Sequence, residues 1–326
     1  MALNLFITRN CSSNHSLLPL LKLKIFSNKP DNICIDQYMK RFITQSLMNN
    51  LHKKKDVYEL TRLNNLFTRN EINIPGFDDY RVLKCDFHTH TVFSDGLVWP
   101  DGRIYEAWLN GDLNQSYKIA KTAADDMELI VIPGVEITRD KPLGHFNALF
   151  IQDANLIEKE DPLDSLAEAK KQGAFIVWNH PGWPDNNVTL YPIHEQLITK
   201  GIINGIEVMN YKDFYPKAIH WCVSFKKTIM AGSDVHCTIS GMYRNRFRPM
   251  TLVFAREKSE VGIHEALLAR RTIALFDGYM AGEIQILSQF VKSCIKIKYM
   301  KNSCITVTNV SDIPFHALSL HLHLKG

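Results

Sequence analysis

The stretch Arg81–Gly96, RVLKCDFHTHTVFSDG, constrains this chain more than any other. A short apolar strand runs directly into His88, His90 and Asp95. Residues two apart on a strand face the same side, so His88 and His90 project together from its C-terminal end. Two imidazoles so placed begin a metal site but cannot complete one. Three later stretches supply partners: Glu136 in IPGVEITR with His145 in GHFNALF, His180 in IVWNHPGW, and Asp234 with His236 in AGSDVH. Each follows an apolar run rich in Val, Ile or Ala, the pattern of a buried parallel strand. Ligands of one chemical kind at the ends of successive strands converge on one face of a βα barrel.

In chain order, Val98 to Gly111 reads as a helix, with Asp101 as its cap. A barrel should then supply a second strand, but Asp112 caps another helix at once, with Tyr117, Ala120, Ala124 and Met127 on its inner face. The β-then-α rhythm breaks here and resumes at Leu129. ELIVIPGVEIT, FNALFI, AFIVWNHPG, GIEVMN, TIMAGSDVH, MTLVFA and TIALFDG read as strands. Helices are expected over DPLDSLAEAKKQG, HEQLITKG, YPKAIHWCVSFKK and VGIHEALLARR. Beyond Gly282 the period changes to alternation, as in CIKIKYMKNSCITVTNV and LSLHLHLK, which predicts a small β appendage. His321 and His323 repeat the HxH spacing, but with leucines alternating between them they read as solvent-side residues.

Together HTHTVFSDG, PGVEIT with GHFNALF, NHPGW and SDVH resemble the PHP family, named for polymerase and histidinol phosphatase, in its stand-alone phosphoesterase branch. The resemblance covers roughly residues 70 to 283. It implies an α/β fold, a distorted TIM-like (β/α)7 barrel that here lacks one expected strand, with the small C-terminal β appendage. Relatives carry a strand after the first motif that ends in an acidic residue and a metal-ligating histidine. This sequence passes from EAWLNG directly to DLNQSYKIAK, so that ligand has no counterpart. Loss of a strand leaves its two neighbours with unpaired backbone edges.

The resemblance also implies the site. His88, His90, Glu136 and Asp234 would hold one ion, and Glu136 would bridge to a second held by His145 and His180. Asp95 and His236 would belong to a third position, whose remaining ligand lay in the missing segment. Imidazole nitrogen with carboxylate oxygen suits two or three divalent ions of Zn, Mn or Fe type. The implied reaction is hydrolysis of a small-molecule phosphate ester by a metal-activated water, with no protein nucleophile. Arg139, Arg244, Arg246 and Arg248 are candidate phosphate clamps, because a guanidinium pairs two oxygens at once. Trp99, Trp178 and Trp183 either line the pocket or pack beneath it. Two rival readings stand beside this one. The first is a catalytically impaired PHP-like protein that keeps its fold or metal; the second is an amidohydrolase-type C–N hydrolase, since those barrels also begin with HxH.

The domain plan is an N-terminal extension over 1–70, a phosphoesterase barrel over 71–283 and the appendage over 284–326. Residues 1–30 carry Arg9, Lys22, Lys24 and Lys29 without an acidic residue, which fits a transit-type leader better than a secretory signal. The expected location is cytoplasmic, with an organelle as the alternative. No apolar run approaches the roughly 18 residues of a membrane span. A net charge of +4 does not argue for nucleic acid as a partner. Seven scattered cysteines without CxxC spacing point to a reducing compartment rather than a disulfide framework.

Overall fold

The computed structural model describes residues 24–25, 72–91, 112–125, 129–236, 243, 247–299 and 305–315. Asp95, Arg244, Arg246, His321, His323 and the helix expected over 98–111 lie outside these residues. The strands are β1 (Lys24–Ile25), β2 (Arg81–Cys85), β3 (Gly134–Ile137), β4 (Phe146–Leu149), β5 (Phe175–Trp178), β6 (Gly205–Asn210), β7 (Asp213–Phe214), β8 (Thr228–Gly232), β9 (Met250–Ala255), β10 (Thr272–Phe276), β11 (Tyr279–Gly282), β12 (Ile295–Tyr299) and β13 (Ile305–Asn309). The helices are α1 (Gln115–Asp125), α2 (Pro162–Lys171), α3 (Pro192–Thr199), α4 (Pro216–Phe225), α5 (Glu260–Leu268) and α6 (Ile284–Cys294).

The fold is mixed α/β, and the strands of the described residues form three sheets. One has the order β11-β10-β9-β2, a second runs β3-β4-β5-β6-β7 with β8 also on β6, and a third is β1-β13-β12. Parallel pairing joins β5 to β6, β6 to β8 and β1 to β13; the other described pairs are antiparallel. The expected run of parallel strands is therefore only partly present. Eight residues separate β3 from β4, too few for a crossover, so these strands meet as an antiparallel pair.

The two larger sheets meet at β8 without a ladder. Thr251 Oγ1 on β9 donates to the Ala231 carbonyl at 2.8 Å and accepts from the Ala231 N–H at 2.9 Å. Thr272 Oγ1 on β10 donates to the Ile229 carbonyl at 2.7 Å. At the opposite ends, β2 pairs with β9 and β3 with β4, and among the described residues no strand joins β2 to β3. The apolar run Leu129–Ile132, expected to extend β3, forms no strand. Glu136 consequently comes from a strand of four residues.

Helix boundaries follow local chemistry. Asp161 caps α2 by accepting from the Leu163 N–H at 2.8 Å, with Pro162 in the first turn. Ala218 and Cys222 of α4 are buried, whereas Phe225, expected on the same face, is exposed. Strands β1, β7 and β11 and helix α6 are not anticipated by the sequence pattern. Strand β11 returns from β10 through Asp277 and Gly278, whose φ values of 48° and 83° form the Asp-Gly hairpin turn. Helix α6 stands where the period was expected to change to alternation. Its Phe290 and Cys294 pack with Met250, Leu252 and Phe254 on the outer face of β9 and with Ile313 beyond β13. The hairpin β12–β13 is thus tied to the main body through α6.

Candidate metal centre

Every described candidate ligand sits at or beside a strand end. His88 and His90 follow β2, Glu136 lies within β3, His145 precedes β4, His180 follows β5, and Asp234 and His236 follow β8. The ends of β2 and β8 are fastened together. The Asp234 N–H donates to the His88 carbonyl at 2.8 Å, the His90 N–H donates to the Val235 carbonyl at 3.0 Å, and Thr89 bridges Val235. Asp234 itself has φ 51°, a left-handed backbone that Asp tolerates better than most residues. Strain of this kind is characteristic of functional positions held by their surroundings.

The side chains converge. His90 Nε2 lies 3.3 Å from His88 Nε2, and Asp234 Oδ1 is 3.0 Å from the first and 3.3 Å from the second. Glu136 Oε1 lies 3.5 Å from His88 Nε2 and 3.7 Å from His180 Nε2. Two overlapping groups result, His88–His90–Asp234 and His88–Glu136–His180, each with one donor atom per residue and all such atoms within 4.8 Å of one another. His88 belongs to both. His145 is brought to Glu136, donating through Nδ1 at 3.0 Å, but joins neither group. His236 stacks on His90 with ring centroids 4.0 Å apart and is partly exposed.

Outer partners set which nitrogen of each imidazole faces inward. His88 Nδ1 donates to Glu207 Oε1 at 3.1 Å, which turns Nε2 toward the cluster. His180 Nδ1 donates to the Trp183 carbonyl at 3.2 Å with the same result. Carboxylates and carbonyls behind metal-ligating histidines fix both ring and tautomer in this way. Glu207 is buried in the middle of β6, and its second oxygen accepts from the His180 N–H at 3.0 Å and from Asn210 Nδ2 at 2.9 Å. Gly232 makes the approach possible, since a methyl there would stand 2.3 Å from Glu207 Oε1 and 2.6 Å from His88 Cβ. Asn179 Nδ2 steadies Glu136 Oε1 at 3.0 Å.

Glu207 and Asn179 are absent from the sequence-derived site. One signal was available for Glu207: an acidic residue inside an apolar strand must find partners for its charge. Asp86 was missed likewise. It accepts from the Ser233 N–H at 3.0 Å and from Arg248 Nε at 2.9 Å, which fastens the residues before His88 to those before Asp234. Arg248 is thereby committed to a buried carboxylate rather than placed as a phosphate clamp. Arg139 lines the cavity at the cluster, but its guanidinium donates to the Thr138 and Lys159 carbonyls at 2.7 and 3.1 Å. Trp178 is buried under the site, stacked on Trp221, while Trp183 stands at the cavity wall.

Electrostatically the cluster attracts positive charge. Burial opposes ionisation of Glu136, yet hydrogen bonds from His145, His180 and His88 outweigh it and hold the carboxyl far below the usual carboxylate range. Asp234, likewise opposed by burial, is brought to about 2 by His90, His88 and His180. Burial disfavours a charged His88, but Glu207, Glu136 and Asp234 together raise it well above the ordinary imidazole value. Ionised carboxylates facing inward-turned imidazole nitrogens form a donor set that fits a borderline divalent cation such as Zn²⁺, Mn²⁺ or Fe²⁺. A cavity of about 1840 Å³ opens on the cluster and continues between β2 and the segment before β3.

An α/β scaffold that carries histidines and carboxylates to one point from successive strand ends defines a candidate metal-binding protein. The chain is 40% identical to a two-domain protein from Bacteroides vulgatus that contains a predicted PHP-like metal-dependent phosphoesterase, with a TM-score of 0.71 over 76% of this chain and 81% of that one. It belongs to the PHP-like metal-dependent phosphoesterase family. A protein from Bifidobacterium adolescentis assigned as a metal-dependent phosphoesterase matches 51% of this chain and 89% of its own at 16% identity and a TM-score of 0.37, too distant to add to this. No family model matches the chain, and neither does any curated protein. Among the described residues no helix is long and apolar enough to cross a membrane.

Proposed function

We propose that the chain hydrolyses small-molecule phosphate esters at a site with at least two adjacent divalent-metal positions, to which Glu136 would contribute one carboxylate oxygen each while His88 serves one of them through Nε2. The adjacency of the two ligand groups, both of which reach His88 Nε2, is the observation that carries this reading. Bound divalent ions would supply Lewis acidity and a water acidified for attack at phosphorus. The chain's own residues do the positioning. Glu207 holds His88 by its side chain and His180 by its backbone, so the two groups move together. Glu136 and Asp234 remain ionised well into the acid range and keep the site receptive to cations. His145 buttresses Glu136 and stands ready beside the second position. A third position would use Asp95 and His236, and Arg244 and Arg246 remain phosphate candidates from outside the described residues.

The finer fold reading belongs to the same proposal. The threonine links from β9 and β10 to β8 support a distorted barrel over residues 71–283, interrupted between β2 and β3 among the described residues. That interruption also favours a second reading, in which fold and metal binding persist without turnover. Chelation followed by Mn²⁺ or Zn²⁺ return, with hydrolysis of an aryl phosphate as readout, separates the two. Metal-restored turnover supports the enzyme, whereas stoichiometric metal without turnover on a broad phosphoester panel supports the impaired form.

A further inference from the structure

Trp183 stands at the metal centre in a way its packing alone does not explain. Its side chain is 56% exposed although it lines the cavity that holds Glu136, His180 and Asp234. Among the described residues, Trp183 and Tyr211 are the exposed large apolar side chains that are both aromatic and part of this wall. The exposure does not reflect a loose loop. The Trp183 N–H donates to the His180 carbonyl at 2.9 Å, and its own carbonyl accepts from His180 Nδ1. Its ring meets His145 nearly at right angles, 86° with centroids 4.8 Å apart, and His180 at 74° and 5.8 Å. The preceding Gly182 is pressed against Tyr215, where a methyl would come within 2.4 Å of the ring. Trp183 is therefore an aromatic surface fixed beside the candidate ligands, about half exposed and part of the cavity wall. Rigid aromatic groups bind at low entropic cost, and ring pairs gain from stacked or edge-on contact beyond simple burial.

We infer that Trp183 is a platform for a planar ring in the leaving group, so that the preferred substrates are phosphate esters of ring-bearing alcohols, aryl or nucleoside-like, rather than of open-chain polyols. The inference rests on the phosphoester reading of the site and adds a specificity-determining residue to it. Its test is equilibrium binding of phenylphosphonate and of methylphosphonate to the Mn²⁺-loaded full chain by calorimetry, with metal content measured alongside. The wild type should bind phenylphosphonate about tenfold more tightly. Trp183→Leu should reduce that preference to about threefold or less, and Trp183→Phe should keep most of it. A wild type without preference, a preference unchanged in Trp183→Leu, or binding of neither phosphonate would overturn the platform. If Trp183→Leu loses metal, the wild-type and Trp183→Phe ratios decide. Turnover of phenyl phosphate is read separately: ring preference without turnover refutes the phosphoesterase reading alone, and turnover without ring preference refutes the platform alone.

Discussion

Glu207 accepts from His88 Nδ1 at 3.1 Å while its other carboxylate oxygen takes the backbone N–H of His180 at 3.0 Å. One buried side chain on β6 thus governs the orientation of a candidate ligand after β2 and of another after β5. Glu207→Gln keeps the shape but weakens this hold. Outer partners of this kind are worth about 10- to 100-fold in metal affinity. A Mn²⁺ titration of Glu207→Gln should show a loss in that range with the fold retained by circular dichroism; an unchanged affinity would deny Glu207 the role.

Arg248 distinguishes a structural pair from a phosphate clamp. Its Nε donates to Asp86, whose side chain is only 8% exposed and also accepts from the Ser233 N–H. Removing the guanidinium leaves a buried carboxylate short of a partner, so Arg248→Met should destabilise the protein by about 2–3 kcal/mol in urea unfolding. A clamp would instead show normal stability with a raised KM.

The join between the sheets makes a similar prediction. Thr251→Val preserves volume but removes the hydroxyl that both donates to and accepts from Ala231. Two buried backbone groups on β8 then lose their partner, and the expected cost is about 2 kcal/mol, measured by denaturant unfolding. A neutral substitution would mean that β8 is satisfied from elsewhere.

His194 gives the fold a pH dependence of its own. Burial lowers its pKa, outweighing the opposing effects of the Leu143 carbonyl and Asp185. Nε2 donates to the Leu143 carbonyl at 2.8 Å and Nδ1 accepts from the Tyr191 N–H at 3.2 Å, so the neutral ring fits and the protonated one does not. The unfolded chain then binds the proton more readily. Stability from this group is complete above about pH 6.5 and falls as pH drops below that value toward the lowered folded pKa. The difference in unfolding free energy between wild type and His194→Gln should shrink on going from pH 7.5 to 5.5. A constant difference would exclude His194 as the source.

Much of the candidate metal centre could be read from sequence because its candidate ligands occur in short motifs at strand ends, where HxH spacing and SDVH carry direction as well as identity. The outer residues were harder to see. Glu207, Asn179 and Asp86 act on partners 27 to 162 residues away in the chain, and only the packing of the strands brings them together. Asn179 even lies inside the NHPGW motif, where its neighbour His180 drew the attention. Strand direction was also partly hidden, because apolar runs such as FNAL and MTLVFA are equally hydrophobic in parallel and antiparallel sheets. Helix α6 went unread because the alternating strand that follows it dominated the local pattern, although Phe290 and Cys294 lie four apart on its buried side.

The most direct test compares metal stoichiometry in His88→Ala and His180→Ala. His88 is common to both ligand groups, and His180 belongs to one. Equilibrium dialysis against Mn²⁺ should give at least two equivalents in the wild type and about one fewer in each of His180→Ala and His88→Ala, with phosphoester turnover abolished in both variants. Full metal content and full turnover in His180→Ala would contradict a site built on His88, Glu136 and His180.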